Sequence, residues 1–339
     1  MGLYLENGYL NVDYILNYKC TYNWVIGGRG TGKTFSVLKW MLEHNERFAF
    51  MRTKQQTIDN LKPIELSPIT PVARYLNKDI AFKNLNGQNQ GWYYADDEGK
   101  PSGLPFGMTM ALSTVASIRG FDASWVDYLV YDEFIPELHE VEFKRQDLAF
   151  KNAYETINRN RDIDGGKPLI SISLANANRL STPLLEAMNL TRIIELMIKK
   201  GQTEYINQQT SQAVFLLTDS PISKKKRNTS LYKIEDDYSA MALDNAFSFD
   251  DTSNIRSYNL KQFKPLIFTP DVGIYVSKTR PLLYVSGHLS GKPKFIYDNS
   301  DSDKIRFKRE QLGLYADYVD GKVEFENYSM KNKFLALFD

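Results

Sequence analysis

Asn23-Trp24-Val25-Ile26-Gly27-Gly28-Arg29-Gly30-Thr31-Gly32-Lys33-Thr34 is the stretch that decides the fold. Its first four residues are typical of a short buried strand, and apolar residues recur at helical spacing over 35–44. Residues 27–34 match G-x-x-x-x-G-K-[ST], in which backbone N–H groups and the start of a helix surround phosphate oxygens. A strand, a glycine-rich loop and a helix in this order predict a nucleotide-binding P-loop.

Each residue of this loop has a predicted role in holding a nucleotide. Lys33 reaches the β- and γ-phosphates, and Thr34 holds Mg²⁺. Arg29 contacts a phosphate or forms a switch pair with Glu133. The predicted nucleotide-binding residues are Gly27, Gly28, Arg29, Gly30, Thr31, Gly32, Lys33 and Thr34. The predicted cofactors are ATP and Mg²⁺, and the alternative is a glycine-rich turn that carries a lysine by chance.

Two adjacent carboxylates end another apolar strand further along the chain. Asp132 and Glu133 directly follow residues 128–131. In P-loop NTPases an acid at this position holds Mg²⁺, and we assign that role to Asp132. An adjacent glutamate orients and polarises the attacking water in the additional-strand ATPases, so Glu133 is the predicted catalytic residue. The alternative is a strand that ends in two solvated acids.

A polar residue also follows a third buried strand, residues 169–174. Asn176 lies just beyond this strand, where it can touch both the γ-phosphate and the attacking water, and we predict that it senses hydrolysis. A turn-forming asparagine is the alternative. A GTPase is a weaker interpretation, because the nearest string to Asn-Lys-x-Asp, Asn77-Lys78-Asp79, is one residue short.

A basic pair lies between the second and third of these strands, in Arg159-Asn160-Arg161. In ring ATPases this region faces the neighbouring subunit. A planar and permanently charged guanidinium is suited to neutralising transition-state charge in a neighbour's site. A solvated helix face explains the same residues equally well.

Composition excludes several classes of protein. The 339 residues include 42 Lys+Arg and 41 Asp+Glu, for a formal charge of +1, and 42% are hydrophobic. A disordered chain is excluded, and a wholly basic nucleic-acid coat is disfavoured. Cys20 is the only cysteine and the three histidines are widely spaced, so there is no disulfide or zinc pattern. The sequence shows no signal peptide or long apolar run, and we expect a soluble, cytoplasmic protein without a membrane span.

The order of the apolar runs predicts an α/β fold in three parts. Strands alternate with helices over 1–200, which indicates an additional-strand, RecA- and terminase-like P-loop domain with a mostly parallel sheet and helices on both faces. An inserted hairpin is predicted within 81–107. The polar stretch 201–250 is interpreted as a lid or linker, and 251–339 as a small β-rich domain closed by a helix.

Several strings resemble the DNA-encapsidation ATPases of small tailed phages of the Picovirinae type. They are residues 25–34, 130–135, 158–162 and 174–177, with a weaker similarity at 241–245. The resemblance implies an ATPase motor that moves double-stranded DNA into a preformed capsid. It further implies a homopentameric ring docked at the portal vertex, in the host cell cytoplasm. Some relatives dock through a packaging RNA, and the sequence leaves that partner open.

The resemblance also implies roles for basic residues and for the last domain. Arg159 matches the family's arginine finger, and Arg119 lies where the family has a basic trans-acting residue. Arg52 and Lys54 lie near a DNA-gripping segment. By position, 251–339 resembles a degenerate RNase H-type nuclease fold, and we expect docking and DNA contact there. Two other functions stay open: another ring translocase or helicase on this scaffold, and an ATP-binding interaction protein.

Overall fold

The strand that precedes the glycine-rich loop belongs to a large sheet. The structure, a computed structural model, describes residues 2–118, 123–137, 140–161, 163, 165–218, 220–233, 242–243, 247 and 252–338. The chain divides into two units. The first comprises Met1–Ala187 and Met197–Phe249, and the second comprises Met188–Leu196 and Asp250–Asp339.

The first unit is built on a mostly parallel sheet. Within the described residues its nine strands are β1 (Tyr22–Gly27), β2 (Phe48–Arg52), β3 (Ile80–Asn84), β4 (Gln90–Ala95), β5 (Pro101–Ala111), β6 (Tyr128–Asp132), β7 (Ile170–Ala175), β8 (Glu204–Asn207) and β9 (Gln212–Leu217). Their order across the sheet is β3-β4-β5-β2-β6-β7-β1-β9-β8. Neighbours from β5 to β9 pair in parallel, whereas β3, β4 and β8 pair antiparallel at the two edges. The predicted α/β fold is confirmed.

Helices precede, follow and connect these strands. They are α1 (Val12–Leu16), α2 (Lys33–Glu43), α3 (Gln55–Asp59), α4 (Ile69–Tyr75), α5 (Gln146–Asn158), α6 (Pro183–Ala187), α7 (Leu190–Lys200) and α8 (Pro221–Lys226). None of the helices in the described stretches combines the length and apolar character that crossing a bilayer requires.

Both faces of the sheet are covered, as expected for parallel strands with continuous apolar runs. On one face Val25 of β1 and Val37 of α2 belong to the same buried cluster. On the other face the ring of Trp24 packs 5.7 Å from Phe150 of α5. Because β1, β7 and β6 are adjacent and parallel, the residues that follow them meet at one edge of the sheet.

The predicted hairpin within 81–107 is confirmed. β3 and β4 pair antiparallel from Ile80 to Asn84, and β4 continues the sheet onto β5. This hairpin extends the sheet on the side away from β1.

The predicted lid or linker at 201–250 is wrong for its first part. Residues 204–217 form β8 and β9, and β9 pairs in parallel with β1 over its whole length. β9 is fully buried, whereas β8 is an edge strand of half-buried residues. The polar strand β8 and the turn after it made 201–211 resemble a linker in the sequence, because an edge strand needs few apolar residues.

The second unit has a smaller, mixed sheet. Its strands are β10 (Phe263–Phe268), β11 (Gly273–Ser277), β12 (Leu283–Ser286), β13 (Phe295–Ile296) and β14 (Val323–Phe325), in the order β13-β10-β11-β12-β14. Its helices are α9 (Asp301–Glu310), α10 (Leu312–Val319) and α11 (Tyr328–Leu335). The closing helix was predicted, whereas α9 and α10 were not. No group of three or more His, Cys, Asp or Glu in the described residues could hold a metal ion.

One carboxyl of the second unit is enclosed by its surroundings. Glu195 of α7 accepts a hydrogen bond from the backbone N–H of Tyr328, the first residue of α11. Burial raises the pKa of Glu195 to about 7, while the Tyr328 N–H and the charge of Arg192 oppose that rise. The charged form of this carboxylate is therefore unfavourable in the folded chain.

We expect Glu195 to make the stability of the protein fall as pH rises. The carboxyl ionises near 4.5 in the unfolded chain and near 7 in the folded one, so the folded state binds more protons between these values. Glu195→Gln keeps an acceptor for the Tyr328 N–H but does not titrate. The free energy of unfolding of this variant, minus that of wild type, should increase by about 1–2 kcal/mol as the pH rises from about 5 to about 8. This magnitude is discounted because the side chain is partly exposed. Urea unfolding across this range measures the difference, and parallel profiles would contradict the prediction.

Candidate nucleotide-binding and hydrolysis site

The glycine-rich loop lies between β1 and α2, as predicted. Gly30 and Gly32 have φ of +65° and +79°, which side-chain-bearing residues rarely adopt. A Cβ at Gly27 would lie 2.7 Å from the Cβ of Leu217 in β9, so this glycine permits the close approach of two strands. The loop, Asp132, Glu133 and Asn176 line an open cavity of about 220 Å³. The predicted phosphate site and the predicted hydrolytic residues therefore come together.

Lys33 is folded back over the loop that it follows. Its ammonium donates to the carbonyl oxygens of Gly27 at 3.0 Å and Gly28 at 2.8 Å, and to Oδ1 of Asn176 at 3.0 Å. Burial lowers the pKa of Lys33 to about 8, and the charge of Asp132 opposes that shift. A buried ammonium beside the loop is placed to meet an anion there.

Thr34 and Asp132 bring two oxygen atoms together beside the loop. Thr34 Oγ1 donates to Asp132 Oδ1 at 2.8 Å, and Asp132 is 3% exposed. Hydroxyl and carboxylate oxygens are the ligands that Mg²⁺ prefers, alongside water and phosphate oxygens. The pair therefore fits the predicted magnesium site.

Glu133 stands at the end of β6 in a strained backbone conformation. Its φ of 57° lies in the left-handed region, where a non-glycine residue costs energy, and such positions cluster at functional sites. Its side chain is 55% exposed, yet partial desolvation of the carboxylate raises its pKa, against the opposing charge of Arg52. A raised pKa suits a general base.

Arg52 is placed by the structure among the site's carboxylates. One terminal nitrogen of its guanidinium donates to Asp132 Oδ2 at 2.7 Å, and the other donates to Glu133 Oε2. The pairing of β2 with β6, in which Met51 is opposite Tyr131, sets this position. The expectation that Arg52 grips DNA is therefore corrected: its side chain is 18% exposed and its terminal nitrogens face the two acids.

Two other predicted basic residues have carboxylate partners that the sequence analysis missed. Lys54 donates to Glu140 Oε1 at 3.1 Å and is 39% exposed. Arg29 pairs with Glu137 at 3.6 Å. One alternative paired Arg29 with Glu133, but that carboxylate accepts a hydrogen bond from Arg52. The signal for these partners was the spacing of acids after β6, at 133, 137 and 140.

Asn176 lies in the site and Arg159 lies far from it. Asn176 accepts from Lys33, as described above, and its Nδ2 is 3.5 Å from Glu137 Oε1. Arg159 follows α5, and Asn158 at the end of that helix accepts from the N–H of Leu169, just before β7 begins. The length of β7, about 20 Å at the usual rise per residue, separates this edge from the phosphate loop. Arg119 lies outside the described residues.

Comparisons with known proteins agree on one family. A family model described as podovirus DNA encapsidation protein (Gp16) matches residues 6–336. A DNA packaging protein of Bacillus phage B103 is 25% identical over 342 residues, which cover 94% of this chain and 96% of that protein. A DNA packaging protein of Bacillus phage phi29 is 23% identical over 350 residues, which cover 97% of each chain.

A solved structure shares the fold of the whole chain. A chain of the bacteriophage Phi-29 viral genome packaging motor assembly aligns with a TM-score of 0.68 at 20% identity, covering 99% of each chain. The Phi-28 gp11 DNA packaging motor aligns with a TM-score of 0.62 at 17% identity, covering 98% of this chain and 99% of that one.

Proposed function

Because the chain belongs to the podovirus DNA encapsidation protein (Gp16) family, we propose that it is an ATP-driven motor that moves double-stranded viral DNA into a preformed capsid. The observation that carries this proposal is the meeting of Lys33, Thr34, Asp132, Glu133 and Asn176 around one cavity. These residues are the parts that ATP hydrolysis needs. The similar proteins of Bacillus phages B103 and phi29 are DNA packaging proteins.

Each residue of the site has a proposed task. Lys33 and the backbone N–H groups of the loop hold the β- and γ-phosphates. Thr34 and Asp132 would hold Mg²⁺, which when bound would supply positive charge to the phosphate oxygens. Glu133 orients the attacking water and accepts its proton. Asn176, already in contact with Lys33, links the phosphate site to β7 and responds when the γ-phosphate leaves.

The proposed working form is a homo-oligomeric ring, a pentamer, at the portal vertex of the capsid in the host cell cytoplasm. The position of Arg159 supports the proposal of a ring. Arg159 lies near the edge of the sheet away from the phosphate loop, so it can act on a nucleotide only if that nucleotide is bound to a second subunit. Arg119 is proposed as a further basic residue that acts on the neighbouring site. A packaging RNA is left open as an additional partner.

The division of labour between the parts of the chain is also proposed. The unit with the nine-stranded sheet hydrolyses ATP, and the segment after β9 acts as a lid. The second unit, as a degenerate nuclease-like domain, contacts DNA and the docking partner. Lys54, which is partly exposed near the site, is proposed to contact DNA.

The function is tested by packaging labelled double-stranded DNA into empty portal-bearing capsids with this protein and ATP. We expect ATP-dependent protection of the DNA from nuclease, and faster ATP hydrolysis when double-stranded DNA or capsids are present. Stimulation by single strands alone, together with strand displacement, would favour the helicase alternative. ATP binding without any turnover would favour the ATP-binding interaction protein.

A further inference from the structure

Two described pieces of the chain after β9, 220–233 and 242–243, contain residues that contact the phosphate loop. The carbonyl of Ala242 lies against Gly28, so closely that a Cβ at Gly28 would stand 2.2 Å from its oxygen. Ala242 and Leu243 form a small buried cluster with Tyr232. α8, the helix in this segment, ends in Lys224-Lys225-Lys226. Two parts of the segment thus reach the loop, one through a backbone carbonyl and one through a lysine.

Lys226 places its ammonium directly on the phosphate loop. Its Nζ donates to the carbonyl oxygen of Arg29 at 3.1 Å. A Cβ built at Gly30 would stand 2.0 Å from that nitrogen. Lys226 is therefore in contact with the two residues at the centre of the loop, although it is far from them in sequence.

The surroundings of Lys226 are electrostatically unfavourable to a cation. Burial and the charge of Arg29 both lower the pKa of Lys226, and Lys33 lies near enough to experience its charge. Within the described part of the chain no carboxylate forms an ion pair with it. Three cations thus converge on one loop, and the contact that holds the third is a neutral carbonyl. A multiply charged anion bound on the loop would attract all three cations, and this attraction would offset the repulsion among them.

We propose that Lys226 is a second phosphate-binding lysine, which reaches the nucleotide's polyphosphate from the segment after β9. The inference rests on the proposed function, since it takes the loop to bind ATP. Lys33 approaches the polyphosphate from the loop's own helix, and Lys226 approaches it from α8, much later in the sequence. The ligand recognised is the phosphate chain and not the base.

The test compares Lys226→Ala with Lys225→Ala, a matched control in the same helix whose side chain is exposed. Equilibrium binding of ATP, ADP and adenosine to the full chain is measured by competition with a fluorescent ATP analogue. We expect Lys226→Ala to weaken ATP and ADP binding by about 10- to 100-fold, the range typical of a lost charge-assisted hydrogen bond. Adenosine binding should not change, and Lys225→Ala should bind like wild type.

Two further variants of Lys226 distinguish the loss of its charge from a loss of folding. Lys226→Arg, which keeps a cation on the loop, should retain most of the affinity. Lys226→Gln provides a second neutral variant should the alanine variant unfold. Equal ATP affinity in wild type and in the neutral variants overturns the inference but leaves the proposed function standing. An equal loss of ATP affinity in Lys225→Ala and Lys226→Ala has the same consequence. Failure of wild type to bind ATP overturns the proposed function itself.

Discussion

Glu133→Gln is expected to reduce ATP turnover by about 10²–10⁴-fold, the range typical of a lost general base. Glutamine keeps the size of the side chain and can still accept from Arg52, but it cannot take a proton from water. Desolvation raises the pKa of Glu133, which suits a base, and Asp132 accepts from both Thr34 and Arg52. Nucleotide binding should persist, because Lys33 and the loop are unchanged.

Steady-state release of phosphate, measured alongside nucleotide affinity, checks this expectation. The matched control is Glu140→Gln on the same loop, because Glu140 pairs with Lys54. Glu140→Gln should hydrolyse ATP at a rate close to wild type. Undiminished turnover in Glu133→Gln would refute the catalytic assignment, and an inert wild type that still binds ATP would refute a motor.

Arg159→Ala is expected to reduce turnover by about 10³-fold or more, the lower range for arginine fingers, and only in assembled rings. Arg159 follows α5, near the edge of the sheet where β7 begins. The length of β7, about 20 Å at the usual rise per residue, separates that edge from the phosphate loop of the same chain and exceeds the reach of an arginine side chain. Its φ of 43° lies in the left-handed region, so the backbone departs from the helical conformation directly after α5. We therefore expect Arg159 to act on the nucleotide of a neighbouring subunit.

Mixing two inactive variants distinguishes action on a neighbour from a structural role. A Glu133→Gln subunit still offers Arg159, and an Arg159→Ala subunit still offers Glu133. At some interfaces of a mixed ring, the intact Arg159 of one subunit faces the intact Glu133 of the next. ATP hydrolysis should therefore recover, with a maximum at intermediate ratios of the two variants. Lys151→Ala, an exposed lysine of the same helix, is the control and should behave as wild type. Mixed rings that assemble but stay inactive at every ratio would contradict a finger at 159.

The sequence was sufficient for the residues at the carboxyl ends of the predicted parallel strands. The loop, Asp132, Glu133 and Asn176 each come directly after a buried strand, and parallel neighbours place such residues together whatever the details of packing. Arg52 also ends a strand, β2, but its neighbour β6 could not be identified from the sequence, because strand order across a sheet depends on long-range pairing. Its role therefore emerged only from the structure.

Side-chain partners and edge strands were the other features that the sequence did not determine. Arg29 had two candidate roles, and its pairing with Glu137 depends on the path of the loop after β6. β8 looked like part of a polar linker because the hydrophobic pattern identifies strands by burial, and an edge strand is buried little. β9 is fully buried, and its apolar run at 213–217 was a strand signal that the polar residues around it obscured. Lys226 gave no signal in the sequence, since a run of lysines is usually a solvated surface.

The contact of Ala242 with Gly28 changes how the motif itself should be interpreted when sequences are compared. In G-x-x-x-x-G-K-[ST] the second position is free, because phosphate binding does not prescribe it. In this chain any larger residue there would collide with the carbonyl of Ala242, so glycine is required by a distant segment. Among relatives, glycine at this position should accompany a chain that folds back over the loop. Where that chain is absent, the position should be free to vary.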